Sequence, residues 1–125
     1  MFSKNTEKLE SFIGAKSSFK GNIKTEGTLR IDGSVEGNIE VDWLILGETA
    51  DIKGDVKARG IIVGGKINGN LSAKELIEIR SKGYLTGEIV TNKLVVAEGG
   101  ILEGRSSMQR ESSNVVELQA AEKNR

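Results

Sequence analysis

Apolar and polar residues alternate along most of the chain, and the alternation recurs in units. Phe19-Lys20-Gly21-Asn22-Ile23 is followed by Val35-Glu36-Gly37-Asn38-Ile39 and Ile52-Lys53-Gly54-Asp55-Val56. Ile67-Asn68-Gly69-Asn70-Leu71 and Leu85-Thr86-Gly87-Glu88-Ile89 continue the series, and Leu102-Glu103-Gly104-Arg105-Ser106 loses its last apolar residue. The six glycines stand 16, 17, 15, 18 and 17 residues apart, and both neighbours of every one are polar. Period-two alternation marks a strand with one buried face. A second apolar pair precedes each unit: Leu29 and Ile31, Leu44 and Leu46, Ile61 and Val63, Ile77 and Ile79, Leu94 and Val96. Turn-like segments such as Asp32-Gly33, Gly64-Gly65 and Glu98-Gly99-Gly100 separate the two.

A repeat of about 17 residues is too short for a helix pair or a propeller blade. It fits one coil of a parallel β-solenoid with two or three short strands per turn. Six coils stacked at about 4.8 Å make a rod roughly 29 Å long. The glycine column has two readings, close approach of the walls or a bend that needs permissive backbone. Its place within the alternation favours close approach. The fold class is therefore all-β, with an N-terminal tail over residues 1–11, a solenoid over 12–108 and a C-terminal tail over 109–125. Both tails are expected to be flexible, although Asn114 and Glu117 have the spacing of a helix-opening pair.

Composition narrows the function. There is no Cys and no His, which removes thiolate chemistry, the usual general base and the commonest metal ligand. Eighteen basic and eighteen acidic side chains cancel, so nothing electrostatic calls for nucleic acid. No apolar run is long enough to span a bilayer, and Glu7, Lys8 and Glu10 interrupt any signal-peptide core. A cytoplasmic protein that is not an enzyme, without cofactor or metal, is expected.

Candidate sites are few. Gly64-Gly65-Lys66 lacks the spacing of a phosphate loop and reads as a tight turn. Asp32, Glu48, Asp51 and Asp55 offer carboxylates, but at turns and outward positions where such residues are ordinary. Leu46-Gly47-Glu48-Thr49-Ala50-Asp51 resembles one hexapeptide of the left-handed acyltransferases, the alternative function; those enzymes need a run of hexapeptides and generally a histidine. Between the inward residues of the second strand lie Arg30, Ile45, Ile62, Glu78 and Val95. Ile45 and Ile62 adjoin when coils stack, with Trp43 close by. This patch is either ordinary surface hydrophobicity or a lateral contact with another filament or partner.

The ends carry a further implication. A solenoid leaves an open sheet edge and open core at each end unless capped. Phe19 and Ile23 at one end, with Val96, Leu102 and Met108 at the other, are the expected polymerisation interface.

With these features the sequence resembles the bactofilins, a family of polymer-forming bacterial cytoskeletal proteins. The resemblance rests on Phe12-Ile13-Gly14, the recurrent Gly-polar-aliphatic units, and Leu94-Val95-Val96 followed by Leu102-Glu103-Gly104, and covers about residues 11–108. It implies a right-handed β-helix of triangular cross-section. It also implies nucleotide-independent, non-polar filaments joined head to head and tail to tail. Met1-Phe2-Ser3-Lys4 resembles the family's membrane-binding tail, so Phe2, Lys4 and Lys8 are the candidate contacts with the cytoplasmic face of the inner membrane. Partners implied are the chain itself, that lipid surface, and peptidoglycan-modifying enzymes or other envelope proteins, in support of cell shape. The chain departs from the family in having no Pro in its tails, and in Leu102 where many members carry Phe.

Overall fold

The computed structural model describes residues 9–108 and 114–115. Among them are fifteen strands, all paired in parallel, and no helix. The first coil consists of β1 (Leu9–Ile13), β2 (Ser18–Lys20) and β3 (Ile23–Lys24); the second of β4 (Thr28–Ile31), β5 (Ser34–Glu36) and β6 (Ile39–Glu40). The third contains β7 (Trp43–Leu46), β8 (Asp51–Lys53) and the start of β9 (Val56–Val63), which runs on into the fourth. β10 (Lys66–Asn68) follows, and β11 (Leu71–Ile79) passes from the fourth coil to the fifth, which β12 (Tyr84–Thr91) completes. β13 (Lys93–Val96) and β14 (Ile101–Met108) form the sixth, and β15 (Asn114–Val115) begins a seventh.

Each coil contributes one segment to each of three sheets. In the first sheet Leu29, Leu44, Ile61, Ile77 and Leu94 stand in register. The second stacks Phe19, Val35, Ile52, Ile67, Leu85 and Leu102. The third stacks Ile23, Ile39, Val56, Leu71, Ile89 and Ser106. These are the columns the alternation predicts, and their inner members form one continuous core. Leu44, Ile52, Ile61, Ile77 and Leu85 have no exposed surface. Parallel β-structure suits this sequence because the buried positions are mostly Ile, Val and Leu, which pack well on a pleated surface. Thr91, the one polar residue with no exposed surface among the described residues, satisfies its hydroxyl by donating to the Lys93 carbonyl.

The turn from the first sheet to the second comes in two lengths, which absorbs much of the uneven repeat spacing. The short form is Asp32-Gly33 or Gly64-Gly65. The long form closes a turn of its own, as where the Ala50 N–H donates to Gly47 O, Gly83 to Arg80 O, and Gly100 to Ala97 O.

Two expectations are corrected. The recurrent glycines lie where the chain passes from the second sheet to the third, and every one of the six has φ between +135° and +156°. A bend requiring permissive backbone is therefore part of their role, and the wall-to-wall approach across the interior is not. The close contact that does exist runs along the stack: a Cβ on Gly37 would lie 1.9 Å from Gly21 O, and one on Gly54 1.8 Å from Gly37 O. Asn114, given a helix-opening role above, instead belongs to β15, where Asn114 and Val115 pair with Lys93 and Leu94. Strand pairing also begins at Leu9, ahead of Phe12.

Candidate polymerisation surfaces

The two ends of the stack differ. At the N-terminal end β2 and β3 each pair with a single neighbour among the described residues, so their outer backbone groups are free to pair again. Phe19 caps the second column and is 40% exposed, while Ile13 and Ile23 lie half-buried against the core. Phe12 projects outward from β1 and is 56% exposed, a site the sequence reading did not single out.

At the C-terminal end β14 pairs only with β12 among the described residues, leaving an edge from Ile101 to Met108. Leu102 caps the second column and is half-buried against the core. Ser106 occupies the aliphatic column opposite Ile89, so the last coil closes its third side with a hydroxyl where every earlier coil has a methyl-bearing chain. Met108 pairs in register with Thr91. Val96, in the same last coil, is 9% exposed; β15 lies along Lys93 and Leu94, the N-terminal half of its strand, and does not reach Val96 itself. Ile101, 44% exposed on the outer surface of the terminal strand, went unnoticed because its neighbours in the column are polar or aromatic: Ser18, Ser34, Asp51, Lys66 and Tyr84. Phe2, Lys4 and Lys8 lie outside the described residues.

The first sheet's outer surface carries the lateral candidates. Ile45 and Ile62 are paired neighbours, and both are half-buried. Trp43 is half-buried beside them and lies flat over Gly60, where a Cβ would meet the indole at 2.0 Å. The ring therefore bridges the third and fourth coils and needs the missing side chain beneath it.

The candidate carboxylates disperse. Asp32 pairs with Arg30 at 3.1 Å, Glu48 stands 4.0 Å from Lys82, and Asp55 accepts the Asn70 N–H. Among the described residues no group of three acidic side chains is placed to hold a metal. Asp55 belongs to a ladder that sequence reasoning missed. Asn22 Oδ1 accepts from Asn38 N–H, Asn38 Oδ1 from Asp55 N–H, and Asp55 Oδ1 from Asn70 N–H. Each side chain thus ties its coil to the next beside the glycine bend. The signal was the Asn or Asp that follows Gly in four units. At the far end Tyr84 donates to Glu103 at 2.8 Å, and that bond to a carboxylate holds its phenol above the ordinary range. Leu46-Gly47-Glu48-Thr49-Ala50-Asp51 forms the end of β7, one long turn and the first residue of β8.

Comparison with known proteins agrees with this geometry. Residues 11–107 match the family model for bactofilins, described as polymer-forming cytoskeletal. The bactofilins BacP and BacO of Myxococcus xanthus are 27% and 24% identical to the chain over 97 residues. The match takes in 77% of this chain, 40% of BacP and 77% of BacO. The solid-state NMR structure of the cytoskeletal bactofilin BacA superposes with a TM-score of 0.74 at 29% identity, covering 82% of this chain and 98% of BacA. The Thermus thermophilus bactofilin, solved as double helical filaments, superposes at 0.69 with 25% identity over 80% of this chain and all of its own. A chain whose described residues form a six-coil parallel β-solenoid with an open edge at each end, matched over most of its length by these proteins, belongs to the bactofilin family of polymer-forming cytoskeletal proteins.

Proposed function

We propose that the chain is a cytoskeletal scaffold that assembles end to end into nucleotide-independent, non-polar filaments on the cytoplasmic face of the inner membrane, where it supports cell shape or localises envelope enzymes. The observation that carries this reading is the pair of ends left open among the described residues. Phe19 is 40% exposed over unpaired strand edges at one end, and Leu102 tops the same column at the other. Joining like ends buries these side chains and satisfies the free backbone groups, and neither step needs a nucleotide. The tail residues Phe2, Lys4 and Lys8 supply an interfacial ring and cations, weak singly and strong when a filament presents many tails. The filamentous Thermus thermophilus relative supports the end-to-end element of the reading.

Leu102→Arg tests it. Across a two-fold contact the change sets like charges together in a drying interface, while the inner coils do not depend on the residue. Circular dichroism should show the β-fold intact, and light scattering should show dimers held by the contact around Phe19. Combining the change with Phe19→Arg should give monomers. Filaments that persist in Leu102→Arg remove this end from the interface.

A further inference from the structure

The outer surface of the first sheet reads as a self-complementary pattern. Its central column, from the first coil to the sixth, is Phe12, Arg30, Ile45, Ile62, Glu78 and Val95, each in register with the next. A second column runs beside it, in which each residue donates its N–H to the coil before: Asp32 in the second coil, Gly47 and Gly64 in the third and fourth, Arg80 in the fifth. Arg30 and Asp32 form an ion pair at 3.1 Å, and Glu78 and Arg80 form another at 3.4 Å. Along the strand direction the first pair runs positive to negative, and the second negative to positive.

Consider a two-fold axis lying along the strands between the third and fourth coils. It brings the first coil of one copy against the sixth of another, the second against the fifth, and the third against the fourth. Phe12 then faces Val95, Ile45 faces Ile62, Arg30 faces Glu78 and Asp32 faces Arg80. Within these two columns every apolar side chain meets an apolar one, and every charge meets its opposite, twice over by symmetry. Trp43, lying across the junction of the third and fourth coils, sits beside the axis, so the indoles of the two copies meet. From this pattern we infer that the first sheet is a lateral docking surface for a second copy of the chain in antiparallel orientation.

The size of the surface fixes when the pairing occurs. Six coils by five residues give a footprint of roughly 29 by 16 Å, or about 460 Å² per chain. A stable interface takes about 800 Å² per partner. Isolated chains should therefore not pair through this face, whereas two filaments, each repeating it many times, should zip together. The inference rests in this way on the end-to-end reading.

Electron microscopy of filament width tests both separately. The parent chain should form paired strands. Arg30→Glu sets carboxylates against each other at both charged contacts, and Glu78→Arg does the same with guanidinium groups. Each single change should leave filaments of half the width. The double variant Arg30→Glu/Glu78→Arg restores opposite charges across the pair and should restore the full width. The rescue cannot arise within one chain, where the two residues are three coils, about 14 Å, apart. A parallel arrangement would set Arg30 against Asp32, and there the double variant would remain unpaired. Single-width filaments from the parent, paired filaments from either single variant, or an unpaired double variant would each overturn the inference. Failure of the parent to form filaments at all would overturn the end-to-end reading, and this inference with it.

Discussion

The glycine column offers a controlled experiment, because two of its members differ in one respect only. Gly21 and Gly54 have φ of +138° and +148°, a region that costs a side-chain-bearing residue about 1–3 kcal/mol. A Cβ on Gly21 would touch nothing closer than the Phe19 ring at 3.5 Å, since among the described residues no coil lies beneath it. On Gly54 it would lie 1.8 Å from Gly37 O. Opening that contact beyond about 3.0 Å separates the second and third coils locally by more than an ångström. The bonds from Gly37 N–H to Lys53 O and from Ile39 N–H to Asp55 O, both 2.9 Å, then fail. At about 0.5–1.5 kcal/mol each, their loss adds about 1–3 kcal/mol. Gly21→Ala should therefore cost about 1–3 kcal/mol and Gly54→Ala about 2–6 kcal/mol, a large part of the 5–15 kcal/mol typical of a domain. Urea unfolding followed by far-ultraviolet circular dichroism measures both. Chain concentrations must be equal, because association stabilises the fold by mass action. Equal destabilisation at the two sites would refute the coil-to-coil contact as the reason for the column.

Three further outcomes follow from the same geometry. Ile61→Ala, in the fully buried first-sheet column, should cost about 2–5 kcal/mol in thermal or urea unfolding, while Lys53→Ala on the outer surface should cost little. Tyr84 should titrate above the ordinary phenol value in an absorbance titration at alkaline pH, and Glu103→Gln should lower its midpoint. Because the folded value is the raised one, this contribution to stability is present below the ordinary phenol value and is lost as pH climbs through the folded value. Removal of residues 2–8 should reduce co-sedimentation with anionic liposomes, corrected for filaments that pellet unaided; equal pelleting would exclude the tail as the lipid contact.

The three inward columns were legible because burial in a solenoid imposes one rule on every coil. Leu44, Ile61 and Ile77 occupy the same environment, so the chain repeats their type. The glycine bend was misjudged because spacing reveals where a residue stands and not its φ. Gly54 lies within an alternating run yet turns the chain. The Asn22–Asn38–Asp55–Asn70 ladder was visible as a recurring residue type, but its bonds to the next coil's N–H groups depend on that unforeseen bend. β15 was not foreseen, since Asn114–Val115 is too short to show a period of its own. Trp43 could be located on its sheet, but not over Gly60, since the alignment of those two positions depends on turns of unequal length.

The central claim is that this β-solenoid is a filament subunit joined through its ends, and cryo-electron microscopy of the purified chain without nucleotide tests it most directly. The account predicts filaments whose strands lie across the axis, with coil spacing of about 4.8 Å and an axial repeat of about 58 Å for two six-coil subunits joined by like ends. A uniform population of small closed oligomers, with the ends around Phe19 and Leu102 facing solvent, would contradict it.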